Sequence, residues 1–152
     1  MQEESNKGGR IAKVNAEYFP LPGNRTDEIK ALKLEKGSLG IDIYITLMEK
    51  LTVSAYFTFH YAKAYKLKVF SLENGFNSDE FKDVLEYMVK ELQLFDKVLY
   101  SKGYLFSRQF VEQFDAAGLF AKRKIKAVDI FEYVDNLAKG PIDLTPDDAL
   151  PF

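Results

Sequence analysis

Hydrophobic and polar positions alternate in short periodic runs separated by Gly, Pro and Asn, and these runs predict a mainly helical α+β domain. Pro20 and Pro22 forbid helix before Asn24. Thr26 then caps a helix opening on Asp27 and Glu28, acidic residues suited to the positive end of a helix dipole, with Ile29 and Leu32 on one face and Gly37 as its terminator. Ser38 caps the next run, LGIDIYITLMEKL, which is apolar on nearly all sides and is the expected central buried helix. AYFTF reads as a short strand. The segment that follows, HYAKAYKLKVFSLENG, alternates like a strand, but Tyr61, Tyr65, Val69 and Leu72 also keep helical spacing, and a helix is the preferred reading.

The clearest helix is NSDEFKDVLEYMVKEL, with Ser78 as its cap and Phe81, Val84, Leu85, Met88 and Leu92 as its apolar stripe. LFDKVLYSKGYLFS reads as a β-hairpin turning at Ser101-Lys102-Gly103. RQFVEQFDAAG and AVDIFEYVDNLAKG make two further helices, the second ending at Gly140. A helix-turn-helix followed by a hairpin is a winged helix-turn-helix with a β-hairpin wing, here carrying extra C-terminal helices. The organisation this implies is a flexible leader over 1–15, a winged-helix-like domain over 16–139 and an acidic tail over 140–152, which Pro141 and Pro146 keep extended.

Composition narrows the function classes. The 152 residues are 47% hydrophobic and 14% aromatic, enough for a single core. The absence of cysteine excludes disulfides and thiolate metal sites, and no signal peptide or membrane span is evident, so a cytoplasmic protein is expected. The net charge of −2 is unevenly placed. Residues 1–126 hold 20 Lys/Arg against 17 Asp/Glu, whereas residues 127–152 hold one Lys against six Asp/Glu. Such a split marks separate partners for the two parts, although uneven charge also arises by chance. No phosphate-binding loop or His/Asp/Glu metal spacing is present, and His60 is the lone histidine, so catalysis and cofactors are not expected.

Tyr18-Phe19-Pro20, Asp27 with Lys30 and Leu32, and then Gly37, Gly40, Ile43 and Tyr44 follow one another in an order that resembles the phage replisome-organiser-type N-terminal domain. LQLFDKVLYSKGYLFSRQFVEQF continues the likeness, which covers about residues 17–126. The resemblance implies a winged-helix DNA-binding domain of the kind found in phage and mobile-element replication initiators, which help load a helicase. At the other end, DLTPDDALPF resembles the C-terminal tip of bacterial single-stranded DNA-binding proteins. That likeness implies a partner-binding role for Asp147, Asp148, Leu150, Pro151 and Phe152. Pro151 and Phe152 would fill an apolar pocket on a helicase, primase or repair protein, with the aspartates facing its basic rim.

The residues themselves favour single strands over duplex. The second helix of the helix-turn-helix carries Asp79, Glu80, Asp83 and Glu86 against Lys82 and Lys90, an outer face that repels phosphates. Basic and aromatic residues interleave elsewhere, in the pattern that grips a strand while stacking its bases. The candidates are Tyr61, Lys63, Tyr65, Lys66 and Lys68, in a run that also holds Tyr56; then Lys97, Lys102, Tyr104 and Arg108 on the hairpin; then Lys122, Arg123, Lys124 and Lys126 in AKRKIK. The same tyrosines also fit core positions at helical spacing. The basic run fits phosphate contacts, a solvated helix junction or a seat for the acidic tail. Three functions follow: a DNA-binding, non-catalytic replication accessory protein with single strands preferred; a replisome-organiser-like adaptor that binds duplex or works through protein contacts, with homo-oligomerisation open to it; or an inhibitor that imitates the tip to occupy a host protein's pocket.

Overall fold

A computed structural model describes residues 26–140 of the chain. The leader, the Tyr18-Phe19-Pro20 motif, the two prolines before Asn24 and the acidic tail beyond Gly140 lie outside the described residues. Helix α1 spans Asp27–Thr52, and the Thr26 hydroxyl accepts the Ile29 N–H at 3.4 Å. The break expected at Gly37 is a kink rather than an end: Gly37 adopts φ 65°, ψ −157°, and the helix resumes beyond it. The turns on either side of the kink approach closely at Gly40, where a Cβ would meet the Lys36 Cβ at 2.7 Å. Ile41, Ile43, Tyr44, Leu47, Met48 and Leu51 are all buried, so the second half of α1 is the central helix that its composition demands.

AYFTF does not form the expected strand. Ala55–Phe57 is a 3-10 turn with Tyr56 and Phe57 both left-handed, at φ 56° and 55°. Only then does strand β1, Phe59–His60, begin. Helix α2, Ala64–Glu73, and helix α3, Ser78–Lys90, follow as the spacing predicts. The cap of α3 is Asn77 rather than Ser78, its side-chain oxygen accepting the N–H groups of Asp79 and Glu80 at 2.9 and 3.0 Å. Phe81, Val84, Leu85 and Met88 are buried, and Leu92 lies past the helix end, half-buried.

The hairpin expected across LFDKVLYSKGYLFS is absent. Lys97–Ser101 is a short helix, α4, because Asp96 accepts the Leu99 N–H at 2.9 Å and nucleates a turn there. Strand β2, Tyr104–Leu105, pairs antiparallel with β1, with Phe59 opposite Leu105 and His60 opposite Tyr104. The segment still closes on itself, since the Asp96 N–H donates to the Phe106 carbonyl at 2.9 Å, but its interior is helical and not laddered. Helix α5 spans Arg108–Ala116, capped by the Ser107 hydroxyl, and helix α6 spans Ala127–Lys139, ending at Gly140.

The architecture is therefore mainly helical with one two-stranded antiparallel sheet among the described residues. Phe57 anchors an aromatic cluster under α5, 5.2 Å from the Phe114 ring and 5.4 Å from Phe120. Phe59, Phe70 and Phe81 join β1 to α2 and α3. Among the described residues no helix is long and apolar enough to cross a membrane.

Candidate nucleic-acid interface

Three of the residues expected to touch DNA sit at the sheet edge, and all three face inward. Tyr61 is 4% exposed, and its hydroxyl donates to the Tyr100 carbonyl at 2.6 Å. Burial, with Tyr100 beside it, holds the Tyr61 hydroxyl far above the usual phenol range. Tyr104 is buried and stacks on His60, ring centroids 4.2 Å apart. Lys102 is 6% exposed, and its ammonium donates to the carbonyls of Leu137 and Ala138, at 3.2 and 2.7 Å, and to that of Gly140. It closes the negative end of α6. These roles correct the expectation that Tyr61, Lys102 and Tyr104 present rings or charge to a nucleic acid.

The reason lies in the chain path. The N–H groups of Tyr61 and Ala62 both donate to the Gly103 carbonyl, at 3.0 and 3.2 Å. Ala62 is left-handed, at φ 66°, and the Lys63 N–H turns back to the Tyr61 carbonyl at 2.7 Å. That turn points Tyr61 into the core and starts α2 on the surface. Lys63, just before α2, and Tyr65, Lys66 and Lys68 on it are exposed, Tyr65 at 59%. Tyr65 and Lys68 share a groove with Ser78, Asp79 and Lys82 at the start of α3. The outer face of α3 is acidic as expected: Asp79, Glu80 and Asp83 are exposed, and Asp83 is bound to the Lys36 ammonium at 2.7 Å.

The basic run between α5 and α6 divides its labour. The Arg123 guanidinium lies over the Phe57 and Phe114 rings, 5.5 and 5.1 Å from their centroids. The Lys126 ammonium donates to the carbonyls of Phe120 and Ala121 at 2.8 and 3.3 Å. Both side chains thus hold the junction together. Lys122 and Lys124 remain exposed, and Lys124 lines an open groove with Tyr56, Ile125, Asp129, Glu132, Tyr133 and Asn136. Within it Tyr56 stacks on Tyr133, centroids 4.1 Å apart and planes 12° from parallel.

Tyr56 reaches that position through strain. Two successive left-handed residues other than glycine cost about 1–2 kcal/mol each, and the burial of Phe57 in the aromatic cluster offsets that cost. With Phe57 held inside, Tyr56 is directed outward, 40% exposed. Nothing local in the sequence marks the partner: Tyr133 sits between Ile130 and Val134 and Leu137, at a spacing that fits a core face. Tyr56 lies within the interleaved run, yet its pairing spans most of the domain.

The remaining basic candidates, Lys97 and Arg108, come together along a groove with Gln93, Asp96 and Gln109. Arg108 is also engaged there, paired with Asp135 at 3.0 Å and lying over the Phe131 ring. Asp147, Asp148, Leu150, Pro151 and Phe152 lie outside the described residues. The Lin1244/Lin1753-like, N-terminal family matches over residues 18–110, more than half the chain, and the chain belongs to that family. No curated protein and no solved structure matches it.

Proposed function

We propose that this member of the Lin1244/Lin1753-like family is a non-catalytic DNA-binding accessory protein of phage or mobile-element replication, with single strands as its preferred ligand. In this reading the DDALPF tip recruits a helicase, primase or repair protein. One observation carries the DNA half: the open groove where the Tyr56–Tyr133 stack lies beside Lys124, with Lys122 exposed on the same loop. Bases of any identity stack on an accessible ring while a nearby lysine meets the phosphate, and the Asn136 amide and the Asp129 and Glu132 carboxylates are suited to base edges rather than phosphates. A second basic and aromatic surface, Tyr65 with Lys66 and Lys68 on α2, supports the same reading. The acidic outer face of α3 weighs against major-groove reading by that helix. The replisome-organiser-like adaptor is the second reading, favoured by Tyr65, Val69 and Leu72, which lie exposed along one face of α2.

Fluorescence anisotropy with labelled single- and double-stranded oligonucleotides tests the proposal. Single strands bind, more weakly as salt rises, and Tyr56→Ala lowers affinity by about 1–3 kcal/mol. Lys124→Gln flattens the salt dependence by about one charge. Binding to neither form at low salt overturns the DNA reading in favour of the adaptor, and tight site-specific duplex binding overturns the single-strand preference.

A further inference from the structure

Two carboxylates line the groove that holds the Tyr56–Tyr133 stack, an odd lining for a surface that meets a polyanion. Asp129, Glu132, Tyr133 and Asn136 recur at i, i+3, i+4 and i+7 of α6, so one helix face carries all four. Ile130 and Val134, 0% and 1% exposed, hold the other face in the core and fix how that row is presented. Asp129 is already half engaged, since one of its oxygens accepts the Lys126 N–H at 3.0 Å. Glu132 is exposed and, among the described residues, makes no hydrogen bond or ion pair. Asn136 is exposed as well. The row thus offers a free carboxylate and a carboxamide one turn apart, beside a ring on which a flat ligand can stack.

Stacking does not choose between bases, but these polar groups do. An ionised carboxylate only accepts hydrogen bonds. The pairing edge of guanine presents two adjacent donors, N1–H and the N2 amino group, with the O6 acceptor next to them. The two donors match the two oxygens of one carboxylate in a bidentate, charge-assisted pair, and O6 is left for an amide N–H. Adenine and cytosine present one donor there, their amino group, beside a bare ring nitrogen whose lone pair a carboxylate repels. Thymine has a single N–H between two carbonyl oxygens, a poorer match still. Unstacked single strands leave these edges open to side chains.

We infer that this groove selects guanine from single-stranded DNA. The guanine stacks on Tyr56, whose ring is covered on one side by Tyr133 and which is 40% exposed. Glu132 accepts from N1–H and the N2 amino group, the Asn136 amide donates to O6, and Lys124 is left for a phosphate. The groove's volume of about 490 Å³ is in the range of small-ligand sites. Base selection rests on the single-strand reading of this groove and adds to it a task for the carboxylates, which phosphate contacts leave unexplained.

Anisotropy titrations on the full chain use oligothymidine strands in which isolated thymines are replaced by guanine, adenine or hypoxanthine, spaced so that no quadruplex forms. The guanine strand binds about tenfold tighter than the adenine strand, the scale of one bidentate base contact. Hypoxanthine keeps N1–H and O6 but lacks the N2 amino group, and it falls back towards adenine. Glu132→Gln, at an exposed position, replaces one acceptor by a donor and brings the guanine strand down to the adenine level. Equal binding of the guanine and adenine strands, both above thymine, means stacking alone and overturns the inference while the single-strand reading stands. So does equal binding of all strands, hypoxanthine equal to guanine, or a guanine preference that survives Glu132→Gln. Competition by free deoxyguanosine monophosphate at the concentration of the strand also overturns it, since the ligand would then be a mononucleotide. Binding of no strand at all removes both readings at once.

Discussion

The sheet edge and the outer face of α2 are adjacent in sequence and similar in composition, yet they use the same residue types in opposite ways. Tyr61 and Tyr65 are four residues apart; one donates its hydroxyl inside the core, and the other is more exposed than buried. Lys102 and Lys66 both lie within two residues of a tyrosine, but the first spends its charge on three carbonyls and the second lies in the open. The difference comes from the backbone, not from the side chains. The left-handed Ala62 and the bonds to Gly103 reverse the chain's facing between the two regions. A run of alternating Lys and Tyr therefore offers rings and charge to a ligand only on the stretch where the path keeps it outward.

The comparison is most sharply tested by truncating its tyrosines. Tyr61→Ala is expected to cost about 3–5 kcal/mol in chemical denaturation, the range for emptying a buried aromatic site, whereas Tyr65→Ala stays within about 0.5 kcal/mol. Equal effects would erase the distinction. Next comes the lysine pair: Lys102→Met loses about 1.5–3 kcal/mol, the scale of hydrogen bonds from a charged donor, while Lys66→Met leaves stability unchanged and acts only on ligand binding. The smallest effect is a slope. Burial, with a contribution from Glu86, raises the Tyr100 hydroxyl as it does Tyr61. Groups raised in the folded state contribute their full stability below the unfolded phenol value of about 10, and that stability is lost as pH climbs above it. Each such group steepens the alkaline decline by about 1.4 kcal/mol per pH unit. A pH series of unfolding curves on the wild type and Tyr61→Phe reads the difference, and identical slopes would count against the burial of that hydroxyl.

Much of the frame was legible because its signals are local. The α3 stripe from Phe81 to Met88, the Thr26 cap, the Gly37 break and the Gly140 stop each follow from a few neighbouring residues. The hairpin was misread because Val98, Leu99 and Tyr100 suit a strand, and Ser101-Lys102-Gly103 ends a helix as readily as it turns a hairpin; Asp96 decided the matter by capping. The site was legible as a kind of residue but not as a place. Lys102 meets carbonyls 35 to 38 residues away, and Tyr56 meets Tyr133 across most of the domain, so no window of sequence contains either pairing. Arg123 and Lys126 look like phosphate ligands in AKRKIK, and only the positions of Phe57, Phe114 and the Phe120 carbonyl reveal that they are structural.

The Lys102 clasp on the last turn of α6 does more than end a helix. By holding Gly140 and the last turn of α6 it ties the C-terminal helix to the turn before β2, so fraying of that helix end and opening of the sheet edge are expected to go together.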